Sequence, residues 1–289
     1  MDYIILIGAL LCSSTASIFA GFFNRACEGK KSPTQMYNLF LLATVFIGWL
    51  IYFFVDMSFD AGVIPYAVGF GIAYCTSMFG IINAIRTGPV LITTLIQQFS
   101  LIATTVWGFL FWGDELDTLV IIGLVTIILA LFLCLYTGKS KEDEKKFSPI
   151  WLLYVAMAFF GNAGCTIIQK SQQIAFAGQH RGMLMATAML FGFALFVVLY
   201  LRSDRADSKF IAKKAYFPVL AGVANLFLNL FVMILATSAL PSSLVYPTIS
   251  IGSLMIVILF SLFAFHEKLL RSQWVGIALG IISVLLLSL

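Results

Sequence analysis

Two stretches of the chain decide its fold: residues 89–115, PVLITTLIQQFSLIATTVWGFLFWGDE, and residues 241–267, PSSLVYPTISIGSLMIVILFSLFAFHE. Each begins with a proline, is mostly apolar, and reaches an acidic residue 26 positions later, at Glu115 and at Glu267. About 20 apolar residues are enough to cross the hydrocarbon core of a bilayer as a helix. The two stretches therefore predict two related membrane-spanning helices, one in each half of the chain.

The composition of the whole chain agrees with a membrane protein. Of its 289 residues, 61% are hydrophobic and 10% are charged, and the mean hydropathy is +1.03. About a quarter of the residues in an ordinary soluble domain are charged, so a soluble globular protein is excluded. The lysines and arginines lie in short segments between apolar runs. The net charge of +4 therefore indicates membrane topology and predicts no nucleic-acid partner.

Ten apolar runs follow one another along the chain. Because the backbone must satisfy its own hydrogen bonds in lipid, we expect each run to be a helix of an all-α integral membrane protein. The first run lacks a basic segment before it and a small-residue cleavage site after it, so we expect it to be retained as a span. The runs are 3–23, 36–55, 62–85, 90–112, 118–136, 150–169, 182–201, 216–237, 243–265 and 273–289.

The order of the runs predicts an internal repeat. The two stretches quoted above are the fourth and ninth runs, and each is followed by an apolar run with a glycine, Gly123 or Gly276. We therefore divide the chain into a first five-helix repeat, 1–138, a connecting loop, 139–149, and a second five-helix repeat, 150–289. An odd number of spans per copy inverts the second copy in the membrane. Inverted repeats place a substrate site near the midplane and expose it to each side in turn.

The basic residues predict which connections face the cytoplasm. The odd-numbered connections carry 15 of the 17 lysines and arginines, and the even-numbered ones carry only Lys170 and Arg181. The positive-inside rule then places the odd connections in the cytoplasm and both termini on the opposite side.

These features resemble the drug/metabolite transporter superfamily, in particular its ten-helix EamA-like members. The resemblance rests on the repeats, on the acidic turns Gly113-Asp114-Glu115 and His266-Glu267-Lys268, and on three sequences between residues 240 and 289: Leu-Pro-Ser-Ser, His-Glu-Lys-Leu and Gln-Trp-Val-Gly-Ile-Ala-Leu-Gly. It implies a carrier of small metabolites, often an exporter, in a bacterial plasma membrane, and it does not choose the substrate. Many relatives are described with cytoplasmic termini, which is the opposite orientation to that given by the charge count.

The positions of the acidic residues bear on the substrate. All 13 carboxylates lie at the ends of runs or in connections, so no run offers a buried acid for proton exchange or for pairing with a cation. We therefore expect a secondary transporter for a small polar, neutral or zwitterionic metabolite. The alternatives are a multidrug or organic-cation exporter that binds its cation on aromatic faces, and a lipid-linked substrate flippase or a non-transporting scaffold.

Uncharged polar side chains inside the runs are the candidates for substrate binding. Thr94 and Gln98 lie four residues apart in the fourth run, and an offset of 152 places them on Tyr246 and Ser250 of the ninth. Such groups can hydrogen-bond an uncharged solute, or they can join helices without touching any substrate. The candidate set is Tyr74, Ser77, Thr94, Gln98, Trp107, Asn225, Asn229, Tyr246 and Ser250.

A few further residues have two readings each. Arg25 and Lys170 close the first and sixth runs, where each can extend to the lipid headgroups or face a vestibule and pair with an anionic group of the solute. Glu115 and Glu267 are expected to cap the helices that follow them. Pro247 permits either a hinge or a static kink.

The last run contains a GxxxG pair, Gly276 and Gly280, which favours close helix contact and leaves a homodimer open. Enzyme chemistry finds little support, since the chain has two histidines, no HExxH and no Walker loop, and its five cysteines form no CxxC. We expect a non-enzymatic carrier without metal or cofactor. Its partners are then the small-molecule substrate and membrane lipid.

The charge count gives a testable prediction of topology. A reporter that is active only outside the cytoplasm is expected to be active when fused to either terminus, and inactive when fused within the loop 139–149. Reporters that place both termini in the cytoplasm would overturn the orientation.

Overall fold

A computed structural model describes residues 1–87, 93, 96–97, 99–114, 117–135, 148–264 and 271–288. Within these residues every regular element is a helix, which confirms the all-α class. We number the main helices in chain order and leave the short ones without numbers. They are α1 (Asp2–Ala26), α2 (Pro33–Asp56), α3 (Ile64–Thr87), α4 (Ser100–Trp107), α5 (Thr118–Leu135), α6 (Pro149–Ala175), α7 (Arg181–Leu201), α8 (Tyr216–Leu235), α9 (Ser242–Ala264) and α10 (Arg271–Ser288).

Several of these helices have the length and apolar character of membrane spans. Among the described residues seven qualify, namely α1, α2, α3, α6, α7, α8 and α9, and the apolar parts of α5 and α10 are shorter. Large apolar side chains remain exposed along them, including Ile4 at 73%, Ile51 at 60% and Phe160 at 68%. A surface of this kind requires lipid around it, so the chain is a membrane protein. The count of ten spans stays a prediction, as does the bacterial plasma membrane.

Some helices begin or end at residues that differ from the ends of the predicted apolar runs, because local hydrogen bonding and proline placement also set helix boundaries. Helix α2 begins at Pro33, three residues before the predicted run, because proline suits the first helical turn, where its missing N–H removes no bond. Helix α6 continues six residues past its predicted end at 169, through a polar segment whose amides are hydrogen-bonded inside the protein. A five-residue helix, Ser208–Ala212, lies in the connection between α7 and α8.

The chain forms two compact units, and each combines segments from both sequence halves. Unit 1 comprises Met1–Ile72 and Ile168–Ser238, and within it α1 packs against α8, and α2 packs against α7 and α8. Unit 2 comprises Ala73–Ile167 and Ala239–Leu289, and within it α5 packs along α10, and α9 contacts α4, α5 and α10. The predicted repeats 1–138 and 150–289 are divisions of the sequence that these units do not follow. They stay a prediction.

Two glycines allow a backbone-to-backbone contact between α3 and α6 inside unit 2. A Cβ atom on Gly161 would lie 2.6 Å from the backbone nitrogen of Ser77 and 2.7 Å from the carbonyl oxygen of Ala73. A Cβ on Gly80 would lie 2.6 Å from the backbone nitrogen of Ala158 and 2.7 Å from the carbonyl oxygen of Tyr154. Small residues at such crossings are what brings membrane helices together, because lipid provides no hydrophobic drive between them.

The GxxxG pair in α10 also packs within the chain. Gly276 and Gly280 are both buried, and a Cβ on Gly280 would lie 2.8 Å from the Met255 sulfur and 3.0 Å from Ile251. This glycine therefore serves the contact between α10 and α9. The homodimer stays a prediction without support from this motif.

The glycine contact gives a test of the α3–α6 crossing. Gly161→Ala is expected to lower the melting temperature of the detergent-solubilised protein, because backbone atoms cannot yield to the new methyl group and overpacking typically costs about 1–3 kcal/mol. Gly69→Ala is the matched control, since its Cβ would meet only the flexible end of Ile168 at 3.4 Å. Equal melting temperatures for the two variants would contradict the crossing.

Candidate functional site

The predicted substrate-binding residues fall into two groups, one in each compact unit. Asn225 and Asn229 belong to unit 1, whereas Tyr74, Ser77, Trp107, Tyr246 and Ser250 belong to unit 2. Thr94 and Gln98 lie outside the described residues, as do Glu115 and Glu267. Each group is described within its own unit.

Three amide side chains form a cluster in unit 1, which we call the amide cluster: Gln169 of α6 with Asn225 and Asn229 of α8. The Asn229 Nδ2 donates to both the backbone oxygen and the side-chain Oδ1 of Asn225, each at 2.9 Å. The Gln169 Nε2 donates to Asn229 Oδ1 at 3.4 Å and approaches the sulfur of buried Met185 at 3.8 Å. The two asparagines lie four residues apart on α8, so their side chains share a face, and these hydrogen bonds join them.

The amide cluster keeps hydrogen-bonding capacity that its internal bonds do not use. Each amide has two donors and an oxygen with two lone pairs. Among the described residues no partner is found for the Asn225 side-chain nitrogen or for the Gln169 Oε1. Asn225 and Asn229 are half-buried, while Gln169 is only 3% exposed. A neutral solute with donor and acceptor groups finds complementary atoms here.

The two predicted vestibule charges differ in their surroundings. Lys170 is 7% exposed, so its side chain lies within the protein and does not extend freely to lipid headgroups. Arg25 is exposed at the end of α1. The difference follows from position, because Lys170 lies five residues before the end of α6, where α6 is still packed within unit 1, whereas Arg25 belongs to the last turn of α1. Of this pair, Lys170 has the environment of a functional charge in a membrane helix.

A relay of hydrogen bonds fixes the end of α6 to the start of α7. The Arg181 Nε donates to Gln173 Oε1 at 2.8 Å, Gln173 donates to Gln172, and Gln172 Nε2 donates to the backbone oxygen of Gln179 at 3.2 Å. Both Gln172 and Gln173 are fully buried. Arg181 therefore does not extend freely to lipid as a basic residue near a connection often does. The relay holds the polar end of α6 in place beside Lys170.

In unit 2, α4 and α6 are joined by two polar rungs one helical turn apart. The Asn162 Nδ2 donates to Ser100 Oγ at 2.7 Å, and the hydroxyls of Thr104 and Thr166 lie 2.6 Å apart. Ser100 and Thr104 are four residues apart on α4, and Asn162 and Thr166 are four apart on α6, so the spacing matches on both helices. Ser100 and Thr104 are almost fully buried. The rungs join helices.

The remaining candidates of unit 2 have varied surroundings. Ser77 is buried, and its hydroxyl donates to the Ala158 oxygen of α6 at 3.2 Å, which is a helix contact at the glycine crossing. Tyr246 is 5% exposed, and Tyr74 and Ser250 are half-buried. Trp107 is 37% exposed and stacks on Phe111, with ring centroids 4.2 Å apart. Tyr74, Ser77, Tyr246 and Ser250 all belong to unit 2.

Asp114 caps α9. Its Oδ2 accepts a hydrogen bond from the Ser242 backbone nitrogen, the first of α9, at 3.2 Å. The turn that carries it is shaped by a π-helical segment, Gly108–Trp112, and closes with a bond from the Asp114 nitrogen to the Gly108 oxygen. A Cβ at position 108 would collide with the Asp114 carboxylate, so a larger residue there would displace the capping group. The sequence assigned capping to Glu115, one residue later, and to the next helix in the chain.

Several of these polar groups were not among the predicted candidates. The predicted candidate set does not include Gln169, Asn162, Ser100, Thr104 or Thr166. The i, i+4 spacing of Ser100 with Thr104 and of Asn162 with Thr166 is a signal that the sequence does carry. Within the described ranges, no group of three His, Cys, Asp or Glu residues lies close enough to hold a metal ion.

Comparison with known proteins gives the fold and no activity. No protein-family model matches the chain, and no curated protein matches it either. A solved structure described only as "Crystal structure of protein" superposes with a TM-score of 0.72 and 13% sequence identity, covering 99% of this chain and 95% of that one. At this identity the likeness shows that the two chains share a fold over nearly their whole length.

Proposed function

We propose that the chain is a ten-helix secondary transporter that moves a small polar, neutral or zwitterionic organic metabolite by alternating access. The observation that carries the proposal is the pairing of its helices. The most extensive contacts join one helix from each sequence half: α5 with α10, α1 with α8, and α2 with α7. Two independent five-helix bundles would pair their helices within each half, so this interleaving favours two copies of one repeat.

The pairings also agree with a two-fold relation between the halves. Exchanging the halves replaces α1 by α6, α2 by α7, and so on to α5 by α10. This exchange leaves the pairs α2–α7, α5–α10 and α4–α9 unchanged, and it converts the pair α1–α8 into α6–α3. Contacts exist for all of these, the last being the crossing at Gly80 and Gly161. This internal consistency supports the inverted repeat, which is the architecture of many carriers that expose one site to each side in turn.

Contacts between connections support an alternating path through the membrane. Lys31, between α1 and α2, pairs with Asp204, between α7 and α8. Asp60, between α2 and α3, contacts Met183 at the start of α7, and Asp114, after α4, caps Ser242 before α9. Odd connections thus meet odd ones, and even connections meet even ones.

The same contacts indicate whether α4, α5 and α10, which are not counted as spans by length, also cross the membrane. With α6, α7 and α8 as spans, the contact between Asp114 and Ser242 favours an even number of crossings between them, which supports α5 as a further span. With α3 and α6 as spans, the contact between Asp60 and Met183 supports α4 in the same way. Helix α10 packs along α5. This parity supports ten spans.

The chemistry of the polar groups supports the substrate class. The amide cluster offers neutral donors and acceptors, and no apolar run of the sequence contains a carboxylate. Neutral amides bind a hydroxyl, amide or zwitterionic group without the desolvation cost of a buried charge. An organic-cation exporter would be expected to place an acid or a cage of aromatic rings at its centre.

Reconstitution tests the function directly. A thermal-shift screen of amino acids, sugars, nucleosides and quaternary amines identifies a ligand, because specific binding stabilises the folded form by mass action. In proteoliposomes that ligand is expected to show saturable, trans-stimulated counterflow that persists when a proton ionophore is present. No exchange across the panel would favour a flippase or scaffold, and uptake that depends on a proton gradient would contradict the inferred coupling.

Variants of the amide groups test the site. Asn229→Ala and Gln98→Ala are each expected to raise the KM for counterflow roughly two- to tenfold while the protein remains extractable and folded, since a hydrogen bond contributes about 0.5–1.5 kcal/mol. Asn83→Ala is the control, because the Asn83 amide donates to Phe79 within its own helix. Unchanged transport in both test variants would remove these residues from the site.

A further inference from the structure

The connection between α7 and α8 is the most basic segment that the structure describes in unit 1, and it packs against the ends of α1 and α2. Residues 202–215 contain five lysines and arginines and two aspartates. The short helix Ser208–Ala212 inserts Ile211, which is fully buried, into a cluster with Phe23, Cys27 and Met36 at the ends of α1 and α2. The segment therefore presents a fixed outer face.

The acidic groups of this segment are already paired. The Lys31 Nζ lies 2.7 Å from Asp204 Oδ2, and the Lys31 backbone nitrogen donates to Asp207 at 3.0 Å. The Lys30 Nζ lies 3.7 Å from Asp207. The hydrogen bond between Lys31 and Asp204 lowers the pKa of that aspartate and raises the pKa of the lysine, so both stay charged near neutral pH. Because Asp204 and Asp207 pair with lysines of the connection between α1 and α2, they do not neutralise the lysines and arginines of their own segment.

Two lysines remain on the outer face. Lys209 and Lys213 are exposed and stand one helical turn apart, so their ammonium groups project to the same side. Among the described residues neither side chain has an ion-pair or hydrogen-bond partner, and the exposed side chain of Arg202 has none either. Arg205, by contrast, donates to the Leu201 oxygen and lies over the Tyr200 ring. The outer face thus carries uncompensated positive charge.

Aromatic side chains show that this face lies at the level of the membrane surface. Phe210, beside Lys209, is 42% exposed, and Tyr216, the first residue of α8, is 50% exposed. Exposed aromatic rings at the ends of membrane helices are typical of the interface between hydrocarbon and headgroups. Lysines beside such rings reach the phosphate layer.

We propose that Lys209 and Lys213 bind the phosphate of an anionic phospholipid headgroup. An ammonium group donates three hydrogen bonds to phosphate oxygens, and two such groups one turn apart can hold one phosphate between them. A phosphatidylglycerol headgroup keeps its full negative charge, whereas phosphatidylcholine carries its own cation, so the site favours the anionic lipid. This inference is independent of the transported solute.

Native mass spectrometry of the full chain in detergent tests the site. The intact protein is expected to retain phosphatidylglycerol in preference to phosphatidylcholine. The double variant Lys209→Gln/Lys213→Gln is expected to weaken phosphatidylglycerol binding on the order of tenfold or more, since each lysine near an anionic surface contributes roughly fivefold. The double variant Lys139→Gln/Lys141→Gln removes the same charge from another odd connection and is expected to retain binding.

Three results would overturn the proposal. Equal loss of phosphatidylglycerol binding in the two double variants would mean that only net charge matters, and equal retention of both lipids by the intact protein would mean that the site does not select the anionic one. Full displacement of the lipid by inorganic phosphate or glycerol phosphate at similar concentrations would make the site a receptor for a soluble anion. An unchanged melting temperature is expected for Lys209→Gln/Lys213→Gln, because both side chains are exposed and make no bond to the rest of the described protein. A loss of lipid binding with an intact fold therefore reports on the site itself.

Discussion

Hydrocarbon offers no hydrogen-bond partner, and this constraint governs how the chain folds. A helix satisfies its backbone internally, and a polar side chain within a span bonds either to its own helix, as Asn83 does, or to a partner on another helix. In unit 2 the rungs from Ser100 to Asn162 and from Thr104 to Thr166 meet that need, and in unit 1 the amides of Gln169, Asn225 and Asn229 meet it. Close approach at Gly80 and Gly161 brings α3 and α6 near enough for Ser77 to reach a carbonyl group of α6.

The rungs of unit 2 and the amide cluster of unit 1 differ in how many of their hydrogen-bonding groups have partners. This difference favours a structural role for the rungs and supports the proposed binding role for the amide cluster. The rungs of unit 2 consist of short side chains that bond directly across the helix contact, and Ser100 and Thr104 are buried there. The amide cluster is partly exposed and keeps donors and acceptors in reserve, with buried Lys170 adjacent in the chain. A carrier needs such a reserve, since a solute must exchange its bonds with water for bonds with the protein and then leave again.

Much of the fold follows from hydropathy, and the polar details do not. The predicted runs 182–201 and 216–237 lie within two residues of the bounds of α7 and α8. Basic residues lie at or just before the start of both helices and follow α7 at Arg202, and a short segment with Thr237, Ser238 and Pro241 follows α8. The extension of α6 to Ala175 was missed, since Gln172 and Gln173 are polar in sequence and become acceptable in a helix only through Arg181 and Gln179, which lie in the next turn of chain.

The sequence predicts contacts between polar residues of one helix, and it does not predict contacts between residues of two different helices. The shared face of Asn225 and Asn229 follows from a spacing of four on a single helix. The partner Gln169 comes from another helix, and no periodicity within α8 can identify it. Likewise Arg25 and Lys170 are equivalent in sequence, and only packing within unit 1 makes one exposed and the other buried.

The π-helical turn at Gly108–Trp112 introduces a difference between α4 and its counterpart. One residue more in a turn rotates everything after it by about 100° relative to an ordinary α-helix. The corresponding part of α9 runs to Ala264 as a regular helix. In the proposed repeat the stretches 89–115 and 241–267 have equal lengths, so this wider turn changes the conformation of one end without adding a residue to it.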